Sequence, residues 1–245
     1  MLPLLVIVAG LGLVPKVDTP SPMPVTLRAR DGVKIYADAY AAFSPTAPVL
    51  LLFHQAGSSR AEYATLAPRL ATLGYNALAI DERSGGQLYG INQTQTELGK
   101  TTTFLDVLPD MEAALAWAKR THPVAKIILV GSSFTASLVF ELAAKHPGDV
   151  AAVAAFSPSE YFPDPKYVRS AAHRVHVPVF IDSGSDPEEI GNAKMIFDAV
   201  GSRDKQQYRP KSGIHGASTM RDDRDPAGAA DNFNAFVAFL RHVSS

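Results

Sequence analysis

The stretch KIILVGSSFTASLVFELAAKHP, from Lys126 to Pro147, passes from an apolar run into a helical pattern with two serines at the join. The run KIILV reads as a buried strand, and the residues after Ser133 read as a helix that ends before Pro147. A serine on a tight strand-to-helix turn stands exposed at the strand's carboxyl end, where such sheets carry their active sites. The turn is crowded, so the residues two before and two after the serine must be small. Around Ser132 those residues are Val130 and Phe134, both bulky; around Ser133 they are Gly131 and Thr135. Ser133 is therefore the candidate nucleophile, and its plain alternative is a helix N-cap. Thr135 stands where glycine is usual, and Thr135→Gly is expected to keep activity.

Reading outward, strand and helix patterns alternate on both sides of this unit. VTLRAR and VKIYADAY flank Asp31-Gly32, a hairpin signal. APVLLLFH, YNALAID, VAAVAAFSP and VPVFIDSG read as further strands. Helical patterns cover RAEYATLAPRLATLGY, FLDVLPDMEAALAWAKRTHP, PEEIGNAKMIFDAVG and DPAGAADNFNAFVAFLRHV. A starting hairpin followed by strand–helix units predicts an α/β fold: a mostly parallel sheet of about eight strands with helices on both faces. The segment from Gly85 to Thr103 is polar and long for a loop, and it can flank the site through Tyr89 or Asn92.

The 245 residues suffice for one good-sized domain, and 47% hydrophobic with 19% charged residues is an ordinary globular composition. A net charge of −1 offers no basic face for nucleic acid. Cysteine is absent, so disulfides, thiolate metal sites and cysteine nucleophiles are excluded. No other metal-ligand spacing or phosphate-binding glycine motif stands out, and no cofactor is expected. The opening MLPLLVIVAGLGLV is too short for a membrane span and suits a signal-peptide core, although no Lys or Arg precedes it. The expectation is an exported protein, periplasmic or secreted, with a cytoplasmic one as the alternative. Residues 1–24 then form a leader-like segment with a Pro-rich linker, and residues 25–245 form one domain.

A serine needs a base and an acid to orient it, in the chain order Ser, Asp or Glu, His. GIHG places His215 in a loop ahead of the last helix. The other histidines fit less well. His122 and His146 end helices, His173 and His176 precede the strand that leads to the acid, His242 lies in the last helix, and His54 comes before the serine. For the acid, Asp186 in the loop after VPVFID is favoured over Asp182, Glu160, Glu188 and Glu189. The last two open a helix, where negative charge is commonly structural. The second oxyanion donor is expected from the loop FHQAG after the third strand.

These motifs together resemble the α/β-hydrolase family, of the serine esterase and lipase kind, over nearly all of Val25 to the C-terminus. GSSFT is similar to its nucleophile elbow, FHQAG to its oxyanion loop, IDERSGGQ to the stretch after its fourth strand, SGSD to its acid loop and GIHG to its histidine loop. The resemblance implies a triad of Ser133, Asp186 and His215. It implies oxyanion N–H groups from Ala56 and Phe134, with Gln55, which replaces the usual glycine, as the fallback.

The chemistry expected is hydrolysis of a small or medium carboxylic ester through an acyl-enzyme, without metal. A peptidase, amidase or thioesterase on the same scaffold is the alternative within enzymes, and a non-catalytic binding protein is the alternative outside them. The expected partner is a small-molecule ester; neither nucleic acid nor a membrane span of the mature chain is expected. The segment from Ser159 to His176 is too short for a large lid, so the site is expected to be open, with Tyr161, Phe162 and Tyr89 beside the substrate.

Overall fold

The computed structural model describes residues 20–245. The apolar leader-like stretch and the export reading attached to it lie outside the described residues. Eight strands form one sheet: β1 (Met23–Arg28), β2 (Lys34–Tyr40), β3 (Val49–Phe53), β4 (Asn76–Ile80), β5 (Ile127–Ser132), β6 (Ala152–Phe156), β7 (Val179–Asp182) and β8 (Lys205–Gln207). Their order is β1-β2-β4-β3-β5-β6-β7-β8. The first hairpin is antiparallel, β2 is antiparallel to β4, and all later neighbours are parallel. β1 starts at Met23, two residues earlier than the sequence suggests.

Seven α-helices cover the sheet: α1 (Ala67–Thr72), α2 (Gln93–Leu98), α3 (Leu108–Thr121), α4 (Phe134–Lys145), α5 (Tyr167–Ala172), α6 (Pro187–Ala199) and α7 (Ala229–Ser244). Strand side chains alternate between faces, so β3 feeds two cores at once. Val49, Leu51 and Phe53 join the core under α3 and α4, whereas Leu50 and Leu52 join the core under α1 and α7. This is why the central strands are apolar without alternation: both faces are dry. On the second face Phe236 of α7 meets Phe156 of β6 edge-on, with ring centres 5.4 Å apart. Helix α4 is buried from Phe134 to Ala143, so the element that follows the candidate nucleophile is held on all sides.

The segment 85–103 is not a plain loop. Asn92 caps α2 by accepting the N–H of Gln95 at 2.7 Å, and Gly99 ends that helix with φ 65°. Asp81, at the end of β4, accepts the N–H groups of Arg60 and Gln93 at 2.8 and 2.7 Å, tying this excursion to the turn after β3. No helix among the described residues is long and apolar enough to cross a membrane.

Candidate active site

Parallel strands β3, β5, β6 and β7 end on one edge of the sheet, and the candidate residues gather there. Ser133 follows β5 directly, with φ 61° and ψ −122°. This backbone is rarely adopted by a residue with a side chain and costs on the order of 1–3 kcal/mol, which the surrounding fold must supply. The chain is pinned by the Ser133 N–H, which donates to the Phe156 carbonyl at 2.8 Å. Gly131 is obligatory: a Cβ there would lie 2.5 Å from the Thr135 carbonyl oxygen. The first turn of α4 passes directly over it.

Thr135 has a defined place. Its buried hydroxyl accepts the Ser132 N–H at 2.9 Å. Its own proton has three carbonyl oxygens in reach, Phe53 at 3.0 Å, His54 at 3.1 Å and Ser132 at 2.9 Å. The side chain therefore ties α4 to the ends of β3 and β5, in the place where a glycine would leave these groups unbridged.

His215 Nε2 lies 2.8 Å from Ser133 Oγ. The histidine loop can come this close because Gly216 follows it with φ 73°; a Cβ on Gly216 would lie 2.4 Å from Ser132 Oγ. The other nitrogen, Nδ1, lies 2.6 Å from Oε1 of Glu189. Glu189 Oε2 in turn accepts the Ser157 hydroxyl at 2.6 Å and the Gly184 N–H at 2.7 Å. Burial opposes ionisation of Glu189, but these donors and His215 outweigh it and hold the carboxyl below its ordinary range. The hydrogen bond that His215 donates to Glu189 raises the His215 pKa above its ordinary 6.5, against partial burial.

The carboxylate on His215 is thus not Asp186. Asp186 is the N-cap of α6: its Oδ1 accepts the N–H groups of Glu188 and Glu189 at 3.1 and 3.0 Å. That cap sets the first turn of α6, which carries Glu189 inward. Glu160 is occupied elsewhere, accepting the N–H groups of Val168 and Arg169 at the start of α5. Asp182 is buried at the end of β7 with Oδ1 on the Ser183 N–H and Oδ2 unpartnered.

The loop after β3 is held from both sides. Gln55 donates its N–H to Glu62 Oε2 at 2.8 Å, so that N–H is not free for a ligand and the fallback donor is ruled out. The Gln55 carbonyl accepts from His54 Nδ1 at 2.8 Å, so that nitrogen carries a proton. All peptide bonds described are trans, so the Ala56 N–H points opposite to that carbonyl. The Ala56 N–H makes no hydrogen bond among the described residues. Phe134 is the first residue of α4, where an N–H has no acceptor within the helix. His54 itself is buried against Glu82; burial alone would disfavour its charge, but the carboxylate wins and the pKa is raised.

Tyr161 lies beside Ser133. Its hydroxyl donates to the Ser157 carbonyl at 2.9 Å; burial pushes its pKa up to about 12, while the Ser133 hydroxyl pulls the other way. Tyr161 and Phe162 line a cleft of about 250 Å³ with Thr103, Phe104, Leu105 and Pro163. The Phe104 ring stacks on Phe134, 4.3 Å between centres, so the cleft abuts the residue after the nucleophile. Tyr89 is placed differently: its hydroxyl is 2.7 Å from Ser218 Oγ, and Arg221 and Arg224 lie over its ring. Among the described residues no group of three or more His, Cys, Asp or Glu side chains is arranged for a metal ion.

Solved structures share this frame. An esterase of Pyrococcus furiosus superposes with a TM-score of 0.68 over 93% of this chain and 92% of its own, at 18% identity. A dienelactone hydrolase of Anabaena variabilis gives 0.73 over 92% and 99%, also at 18% identity. A carboxyl esterase of Bacillus coagulans gives 0.72 over 92% and 99%, at 12% identity. The family model described as serine aminopeptidase, S33, matches residues 44–164. The chain has the α/β-hydrolase fold. No curated protein sequence matches it. The family match takes in the loop after β3 and the strand-to-helix turn of this α/β-hydrolase fold; Glu189 and His215 lie beyond it.

Proposed function

We propose that the chain is a serine hydrolase that cleaves a small or medium carboxylic ester through an acyl-enzyme. The observation that carries the proposal is the unbroken line from the strained Ser133, through 2.8 Å to His215 Nε2, and through 2.6 Å from Nδ1 to Glu189. Ser133 Oγ attacks the ester carbonyl while His215 Nε2 takes its proton. Glu189 holds the imidazole in the tautomer with Nδ1 protonated and stabilises the imidazolium that forms. The N–H groups of Ala56 and Phe134 receive the oxyanion, aided by the N-terminus of α4. Collapse expels the alcohol, which takes the proton from His215. Water, deprotonated by His215, then attacks the acyl-enzyme and releases the acid and Ser133.

The cleft at Phe104, Leu105, Tyr161 and Phe162 receives the apolar portion of the ester, where each buried methylene contributes about 0.8 kcal/mol. The match to the serine aminopeptidase model favours a second reading, a peptidase or amidase at the same triad. Tetrahedral attack on an amide uses the same groups, so only turnover separates the two.

The test is labelling with a fluorophosphonate, followed by mapping of the adduct and turnover of matched p-nitrophenyl esters and anilides of increasing acyl length. Label on Ser133, lost in Ser133→Ala, with esters turned over faster than anilides, is the expected result. A folded protein that takes no label rejects the serine-hydrolase reading. Faster turnover of anilides rejects the ester reading in favour of the amidase.

A further inference from the structure

A second buried carboxylate lies behind the nucleophile, and the reaction as proposed does not use it. Glu62, in a short helical turn Arg60–Tyr63, is 0% exposed. Its Oε2 accepts the Gln55 N–H at 2.8 Å. Its Oε1 accepts the Gln55 side-chain amide at 3.1 Å, the Ser132 hydroxyl at 2.8 Å and the Ser218 hydroxyl at 3.1 Å. The polarity of the network is forced. A carboxylate only accepts, and Ser132 Oγ already receives the Ala217 N–H at 2.8 Å, so its proton goes to Glu62. Ser218 Oγ receives the second Gln55 amide proton at 2.9 Å and gives its own to Glu62.

The three segments that converge on Glu62 each adjoin one part of the reaction. Gln55 precedes Ala56, Ser132 precedes Ser133, and Ala217 and Ser218 follow His215 by two and three residues. We infer that Glu62 is a positioning residue: it locks the oxyanion loop, the nucleophile and the histidine loop in one register and sets a negative charge behind the imidazolium formed on His215. The inference rests on the serine-hydrolase reading. It also gives Gln55 a use, since the glycine usual at that position has no amide to bridge Glu62 and Ser218.

Charged and titratable groups face this network from several elements. His215 has Glu189 as its direct partner, and Glu62 and Asp186 act on it at longer range in the same direction. Arg221 reaches the backbone of the Glu62 turn, donating to the carbonyls of Ala61 and Glu62 at 2.9 and 2.8 Å, and is itself paired with Asp223. Tyr63 and Arg60 share the turn with Glu62, Arg60 being paired with Asp38 and Asp81; Tyr89 contacts Ser218, and the His54–Glu82 pair adjoins Gln55.

Glu62→Gln tests the inference, because an amide cannot accept at both positions and must set an N–H against either Gln55 N–H or the three side-chain donors. With p-nitrophenyl butyrate, kcat is expected to fall about 10–100-fold with KM within about threefold, as for loss of an interaction made in the transition state. The rate of fluorophosphonate labelling should fall in parallel. The acid limb of the kcat/KM profile should move to lower pH, since the imidazolium loses a stabilising charge. Ser132→Ala keeps the charge and removes one arm; its kcat should fall several-fold with the acid limb unmoved. A folded Glu62→Gln protein with wild-type kcat and acid limb overturns the inference, and so does a loss confined to KM. If Glu62→Gln does not fold, wild-type kcat in both Ser132→Ala and Ser218→Ala overturns it. Wild-type protein that takes no label sinks the serine-hydrolase reading instead.

Discussion

Thr135 Oγ1 lies 3.0 Å from the carbonyl oxygen of Phe53, joining the first turn of α4 to the last residue of β3. The same hydroxyl accepts the N–H of Ser132, one residue before the nucleophile. Replacement by glycine removes these bonds from a buried site and places the least favourable ordinary helix residue in the first turn. Loss of about 1 kcal/mol from the hydrogen bonds and about 0.3 kcal/mol from helix propensity, where threonine is already a poor helix former, gives a stability lower by roughly 1–1.5 kcal/mol. The expectation that Thr135→Gly keeps activity therefore comes with a stability cost, borne by the joint between α4 and β3. Thr135→Ser keeps the hydroxyl and should lose much less, and urea unfolding of the two variants checks the order.

Asp186 and Glu189 are separated by a single helical turn and should behave oppositely. Glu189→Gln presents an amide to Nδ1 and favours the wrong tautomer; kcat should fall by about 10³–10⁴ with the protein folded. Asp186→Asn keeps a good cap and should leave both rate and stability near wild type. Asp186→Ala should cost about 1 kcal/mol of stability while retaining most of the activity. Steady-state kinetics beside denaturant unfolding distinguish the two roles.

The base must be neutral to accept the Ser133 proton. Because Glu189 raises the His215 pKa, the acid limb of kcat/KM should lie above pH 6.5, the ordinary value for histidine. Removing the partner charge in Glu189→Gln should carry that limb downward. A limb at or below pH 6.5 in the wild type would contradict the Glu189–His215 pairing.

Asp182 gives a separate signature in stability. Burial pushes its pKa up to about 8 from 3.8, partly offset by the Ser183 N–H, with Asp225 and Glu189 adding to the rise. The folded state therefore holds a proton that the unfolded chain releases near pH 4. Its contribution is full below that value and is lost as pH rises toward about 8, at up to ~1.4 kcal/mol per unit. Asp182→Asn has no such proton to lose, so its stability relative to wild type should improve from pH 5 to about pH 8 and level off above it in urea titrations.

The parts of the site legible in the sequence are those fixed by steric rules. The crowding at Gly131 singles out Ser133 over Ser132, and the geometry at the Thr135 carbonyl is the physical form of that rule. His215 follows from its place in a Gly-flanked loop ahead of α7. The sequence favours Asp186 over Glu189 because an acid in a first helical turn usually serves the helix. The signal for Glu189 was the pattern Asp186-Pro187-Glu188-Glu189, a cap followed three residues later by Glu. In a capping box that Glu turns back to the chain, whereas here it turns to His215. The helix inside 85–103 also had its marks, Asn92 at the start and Gly99 at the end. Glu62 had none, because an acid in RAEY reads as solvent-facing until the fold closes over it.

Ser133 is not the only strained residue on this edge of the sheet: Ser157, which serves Glu189, has φ 58°. Both positions lie in conformations that cost on the order of 1–3 kcal/mol each. Selection for heat resistance and selection for turnover therefore pull against each other at these two serines. A more robust relative of this protein is better sought through substitutions on the outer faces of α3 and α7 than through relief of the turns that hold the reactive groups.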